Sequence, residues 1–332
     1  MTESPSRNIS VDLLDYPQSW YPVARSSDLK PGQHTLLRLF DRDWLLFRTG
    51  KGEFGLTVRQ CPHMGADLAR GKVVGDCLEC PLHGYRFDTG GNCVNAPNNT
   101  HGSPQSVLQQ LVCKERYGIV FAFLGQTPAF DVPHPPEMAA DLAVSSPVVM
   151  HFDVSHYVFG LNSFDVRHFD KVHNRRFVSY PDITSDSPNK LTIVYEAEII
   201  RRRWVDYLMA MLSHETTRVI IDCWGANLLA MTNRDTGYGA LICSAPLSRN
   251  KTRLYISGVT PRASGAGLAR RAFDAIAVKV AAILVREYLR PDIRFITGQI
   301  PVDGPLIDDE DLGALRFWEY FNGLPRYHFG QA

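Results

Sequence analysis

Two short segments, Cys61-Pro62-His63 and Cys80-Pro81-Leu82-His83, offer two thiols and two imidazoles in loops with 16 residues between them. That is the ligand set of a [2Fe–2S] cluster in which two His replace two Cys on one iron. Imidazole in place of thiolate removes negative charge and raises the potential, so such a cluster accepts electrons readily. Gly65 and Gly84 lie where a side chain would crowd the turning backbone, and Pro62 and Pro81 stiffen the same turns. Zinc is the competing reading, because Cys77-Leu78-Glu79-Cys80 has CxxC spacing. Against it, Cys61 and His63 are too close together for that knuckle, and the second loop repeats the Cys-before-His order. The matched pair of loops favours the cluster and leaves Cys77 a bystander.

The stretches CPHMGADL and CPLHGYRFDTGG resemble the two cluster-binding loops of Rieske proteins. Respiratory members of that family carry an extra Cys in each loop that forms a disulfide. Ala66 and Leu82 stand in those places here, so that clamp cannot form. The chain also runs on for far longer than an electron carrier requires.

A second constellation, from Asn162 to His173, gathers two imidazoles and carboxylates within 12 residues. Non-haem Fe(II) oxygenases hold iron by two His and one carboxylate on one face, leaving the other positions for O2 and solvent. Two His five apart on a helix are ordinarily just a polar face. Here the spacing Asp165-x2-His168-x4-His173 is similar to the mononuclear-iron motif of Rieske oxygenases. The resemblance implies that His168 and His173 bind iron and that Asp165 does not. Asp165 would instead bridge a cluster His of a neighbouring subunit to His168. The third ligand must be a distant carboxylate, either Asp292 or one of Asp308 and Asp311. The latter pair reads as the acidic first turn of a final helix, where Asp caps free N–H groups. Asp292, followed by Ile-Arg-Phe and then Gln299-Ile300-Pro301, resembles the segment around the ligand Asp of that family and is assigned to iron.

Two domains must position these groups, and 332 residues with 45% hydrophobic content suffice for both. A proline-rich stretch, 127–136, follows the apolar run 117–124 and marks the boundary. Short β-like runs at 36–40 and 44–48 precede it. The runs 192–199, 218–232, 239–245 and 252–260 follow as candidate antiparallel strands. Residues 268–289 carry helical apolar spacing and stop before Pro291, predicting a long helix that packs across the sheet. The fold class expected is α+β: an N-terminal all-β Rieske [2Fe–2S] domain over 18–127 and a C-terminal helix-grip catalytic domain over 137–330. Within the second domain, Arg201-Arg202-Arg203-Trp204 with Tyr207, Leu208, Met211 and Leu212 at helical spacing reads as a core-facing stripe or a pocket lid.

Zero net charge argues against nucleic acid or acidic lipid as a partner and suits a small neutral, apolar substrate. No apolar stretch reaches the ~18 residues of a membrane span, and residues 1–16 lack the pattern of a signal peptide. Seven cysteines, two given to the cluster, leave an odd remainder, which suits a reducing cytoplasm. No GxGxxG segment follows a strand, so electrons must come from a separate NAD(P)H-dependent reductase or ferredoxin. The resemblance further implies a homotrimeric catalytic α-subunit that uses O2 to hydroxylate, dealkylate or N-oxidise an organic molecule.

Overall fold

The computed structural model describes residues 15–95, 107–138, 141–213, 215–262, 267–299 and 311–329. The chain divides into two units: one comprises 19–132 with 245–248, the other 1–18, 133–244 and 249–332.

The first unit is built from two antiparallel sheets. Six strands lie in the spatial order Trp20–Arg25, Ile119–Phe123, Gln110–Arg116, Phe54–Val58, Arg42–Arg48, His34–Leu39. Four short strands, Lys72–Val74, Cys77–Glu79, Arg86–Phe87 and Cys93–Asn95, form the second sheet and carry the second Cys/His loop between them. Leu45, Phe47, Leu68, Leu78 and Phe87 are buried together with Cys61 and Cys80. The thiols thus belong to a closed apolar core, which fixes their depth.

The second unit is a nine-stranded sheet with helices. Its central path runs Leu142–Val144, Lys251–Pro261, Gly239–Ser248, Leu228–Asn233, Thr216–Trp224, Lys190–Ile199, Arg175–Phe177. Along Lys190–Ile199, alternate residues Leu191, Ile193, Tyr195, Ala197 and Ile199 are buried while Glu196 and Glu198 are exposed. This is the period-two pattern of a strand with one covered face. The run 218–232, expected as one strand, is a hairpin of Thr216–Trp224 and Leu228–Asn233. Its turn uses Gly225 and Ala226 at φ 56° and 62°. Apolar residues continue on both sides of that turn, which hides it from a reading by composition.

The helices are α1 (Val158–Asn162), α2 (Val166–His173), α3 (Trp204–Ser213), α4 (Leu268–Leu289), α5 (Asp292–Ile296) and α6 (Leu312–Gly323). The long α4 lies on strand Lys251–Pro261. At Gly258 the approach is so close that a Cβ would stand 2.6 Å from Ala282 N and 2.9 Å from Val278 O. The antiparallel sheet gripping one long helix gives the α+β class. On α3 the apolar stripe does not face the core at two of its positions, for Tyr207 and Met211 are exposed. No helix of the described residues is long and apolar enough to cross a membrane.

Candidate metal centres

The two Cys/His loops share one backbone design. Gly65 N donates to Cys61 O at 2.9 Å and Cys61 N to Ala66 O at 2.9 Å. In the second loop Gly84 N donates to Cys80 O at 3.0 Å and Cys80 N to Tyr85 O at 2.8 Å. Gly65 and Gly84 have φ 71° and 70°, a conformation that L side chains rarely adopt. Each loop turns back on its own cysteine, so the Cys points inward and the His outward. Cys61 and Cys80 are 2% exposed, whereas His63 and His83 lie at the surface. His63 Nδ1 and His83 Nδ1 are 3.2 Å apart. That is close to the edge of a tetrahedron whose metal–nitrogen bonds are ~2.1 Å. Burial pushes the Cys61 thiol up to about 11, so it is iron that must draw off its proton. Two converging imidazoles backed by two buried thiols fit a [2Fe–2S] cluster. Asp67 caps the short turn after the first loop, accepting from Ala69 N at 3.0 Å, and Arg59 pairs with it at 2.7 Å.

The second centre is organised by α2. Asp165 is its N-cap, and the carboxylate accepts from His168 N at 3.1 Å. Asn174, at φ 55°, ends the helix in the left-handed conformation that Asn tolerates. His168 and His173 therefore project from a helix barely two turns long, five residues apart. The end of α4 and start of α5 bring Asp292 to them. His168 Nε2 and His173 Nε2 are 3.0 Å apart, and Asp292 Oδ1 lies 3.1 and 3.0 Å from them respectively. An octahedral metal with ~2.1 Å bonds has ligand–ligand edges of ~3.0 Å, so this near-equilateral triangle matches one octahedral face.

Asp292 Oδ1 is buried and has no partner that meets hydrogen-bond geometry. Three ligating atoms thus lie within 3.1 Å of one another, an arrangement that one cation would satisfy. Burial pushes the Asp292 carboxyl up, but the two imidazoles beside it outweigh this and hold it below its usual value. Burial likewise lowers His173, keeping it neutral and able to ligate. The donor set fits a single Fe(II), and among the described residues it is the one such group of three.

The structure does not bring Asp311 to this triangle. Asp311 stands at the N-cap position of α6, as expected, yet its side chain makes no cap hydrogen bond; it lies 3.9 Å from Arg167 Nη1. Asp308 falls outside the described residues. Sequence reasoning missed Tyr288, whose ring stacks on His173, and the buried pair Arg175–Asp206 beside it. Tyr288 sits four residues before Asp292, a spacing that marks the same side of a helix and could have flagged it.

A cavity of about 150 Å³ opens onto the triangle. Its walls are mostly apolar, among them Phe159, Val219, Ile221, Leu229, Ile242, Leu284 and Val285, with Asn162, Thr217, Asn233 and Tyr238 as scattered polar groups.

Residues 19–114 match the Rieske [2Fe-2S] domain family. Aminopyrrolnitrin oxygenase PrnD of Pseudomonas fluorescens is 26% identical over 335 residues, spanning 92% of this chain and 90% of that protein. The chain carries a Rieske [2Fe-2S] domain. Cholesterol 7-desaturase nvd 1 of Ciona intestinalis is 30% identical over 173 residues, which are 50% of this chain but 37% of that longer protein. The fold is similar to the crystal structure of dicamba monooxygenase with non-heme iron and dicamba, at TM-score 0.60 and 17% identity over 94% of this chain and 97% of that one. The cofactor of the matched domain family is a [2Fe–2S] cluster.

Proposed function

We propose that this chain is the terminal oxygenase component of a system in which a separate reductase or ferredoxin supplies electrons. Its reaction uses O2 to hydroxylate, dealkylate or N-oxidise a small apolar organic substrate, as a monooxygenase. The observation that carries the reading is the two-His, one-carboxylate triangle at the floor of an apolar cavity, which an electron carrier has no reason to hold. Cys61, His63, Cys80 and His83 would hold the cluster, and His168, His173 and Asp292 the iron. When bound, the cluster supplies single electrons and the Fe(II) supplies the centre at which O2 is activated. The chain's own residues do the rest. Asp292, ionised because the imidazoles hold its carboxyl low, contributes the one negative charge of the triangle. Apolar walls seat a hydrophobic body and keep bulk water from the reacting face. Names of relatives support oxidation of small molecules in general: one is an aminopyrrolnitrin oxygenase, another a 5,5'-dehydrodivanillate O-demethylase oxygenase subunit.

Asp165 is proposed as the residue linking His168 to a cluster His of the adjacent protomer in a homotrimer. The five cysteines other than Cys61 and Cys80, none of them in a disulfide among the described residues, support a reducing, cytoplasmic setting. Iron quantitation and a substrate screen coupled to O2 uptake, with a surrogate reductase, test the reading together. Three Fe per chain and substrate-dependent O2 consumption are expected. Two Fe per chain with no O2 uptake would leave only a carrier.

A further inference from the structure

A metal-ligating His ordinarily donates its second ring N–H to a carboxylate, carbonyl or water, which fixes the ring's rotation. For His173 no carboxylate or carbonyl among the described residues takes that role: its Nε2 faces Asp292 and His168, while its Nδ1 is buried with no protein partner among them. What holds the ring is a second ring: Tyr288 lies parallel to it, with centroids 4.1 Å apart and planes 12° apart. The other aromatic neighbours of His173 are tilted or edge-on, Phe169 at 5.9 Å and 53° and His168 at 4.8 Å and 78°. Among the described residues no ring stacks on His168; Phe169 meets it edge-on at 6.1 Å.

The backbone of His173 is gripped separately. Arg175 Nη1 donates to His173 O at 2.9 Å and to Asp206 Oδ1 at 3.1 Å. Asp206, fully buried, accepts from Asn174 Nδ2 at 3.1 Å and Arg203 N at 2.9 Å through its other oxygen. The same Arg175 guanidinium stands 5.3 Å from the centre of the Tyr288 ring. Cation, tyrosine and histidine are thus layered, and the backbone clamp fixes where His173 is while the tyrosine fixes which way its ring faces.

We propose that Tyr288 is a positioning residue for the metal ligand His173, setting the imidazole plane by stacking in place of a hydrogen bond to Nδ1. This rests on the reading of His168, His173 and Asp292 as the iron ligands. Because Tyr288 in the last turn of α4 and Asp292 at the start of α5 are four residues apart, one stretch of chain sets both the third ligand and the orientation of the second. The hydroxyl plays no part in the stack, so Tyr288→Phe preserves the function and an aliphatic side chain abolishes it.

The test measures Fe(II) itself. Chelator competition gives the dissociation constant of Fe(II) for apoprotein that retains its [2Fe–2S] cluster, and the spin-resonance spectrum of the nitric oxide adduct reports ligand geometry. Wild type and Tyr288→Phe should agree within about twofold, whereas Tyr288→Leu and Tyr288→Met should bind Fe(II) ~10-fold or more weakly and give an altered adduct spectrum. Equal affinity and an unchanged spectrum in the aliphatic variants overturn the proposal. So does a loss in Tyr288→Phe as large as in Tyr288→Leu, which would assign the effect to the hydroxyl. Failure of both aliphatic variants to fold would make Tyr288 a structural residue and overturns it equally. If His173→Ala binds Fe(II) as wild type does, the ligand assignment itself falls, independently of Tyr288.

Discussion

Asp165 carries two roles that a single substitution can separate. In the structure its carboxylate caps α2 by accepting from His168 N at 3.1 Å. As the proposed bridge it would also accept from imidazole N–H groups of two metal sites. Asn caps a helix as well as Asp does, whereas Ala loses the cap at a cost of ~1 kcal/mol. In a unit of this size that cost lowers the melting temperature by about 2–4 °C. Asp165→Asn should therefore leave the melting temperature within a degree of wild type, and Asp165→Ala should lower it by that amount. Electron transfer discriminates further. An amide offers one weaker acceptor and no charge, so a bridging role predicts cluster reoxidation slowed ~10-fold or more, a barrier increase of about 1.4 kcal/mol. Stopped-flow mixing of the reduced protein with O2 and substrate follows the cluster colour directly. Both metals must first be shown to remain bound. If Asp165→Asn reoxidises at the wild-type rate with full product yield, Asp165 is a helix cap and nothing more.

Asp292→Ala should leave the visible spectrum of the cluster intact yet abolish the thermal stabilisation by Fe(II), which for the intact site is about 2.7 kcal/mol at 100-fold excess over the dissociation constant; Asp311→Ala should retain it, and the reverse pattern moves the ligand to α6. His156 is buried among Tyr16, Tyr157 and Phe321, and burial, with Arg326 nearby, lowers it to about 3. The unfolded chain therefore binds a proton below pH ~6.5 that the folded chain refuses, so stability present above pH 6.5 is lost as pH falls, by about 1.4 kcal/mol at pH 5.5. Urea unfolding at pH 7.5 and 5.5 should show that increment shrinking in His156→Gln, and an unchanged increment would refute it. Gly258→Ala should cost about 1–3 kcal/mol by forcing α4 off its strand and should weaken Fe(II) binding, because Asp292 follows that helix; denaturant unfolding and metal titration read the two effects.

How much of this was legible depended on whether the information was local. The cluster donors lie in two short loops whose turns are made by their own Gly and Pro residues, so residue type and spacing were enough. His168 and His173 share one helix, yet by themselves they read as a polar face, and only the resemblance of the Asp165-x2-His168-x4-His173 spacing to a family motif singled them out. Asp292 is far along the chain, and only resemblance to a family singled it out from other carboxylates. The apolar stripe of α3 shows the limit of periodicity: spacing says that residues share a face, not what that face meets, and Tyr207 and Met211 meet solvent. The hairpin at Gly225 was hidden because both of its strands are buried, leaving no polar punctuation to mark the turn.

Tyr288 is the instructive case. Within residues 286–292 the four-residue spacing of Tyr288 and Asp292 puts both on one side of a helix, but it does not tell a tyrosine that orients a ligand from one that fills a core. The difference is the rotation of α4 about its axis, which is set elsewhere, by the close approach at Gly258 and the apolar residues of the sheet. Residues that bind metal are recognisable by the chemistry of their own side chains. Residues that aim those ligands are chosen by packing, and packing is a property of pairs of elements that no single stretch of sequence contains.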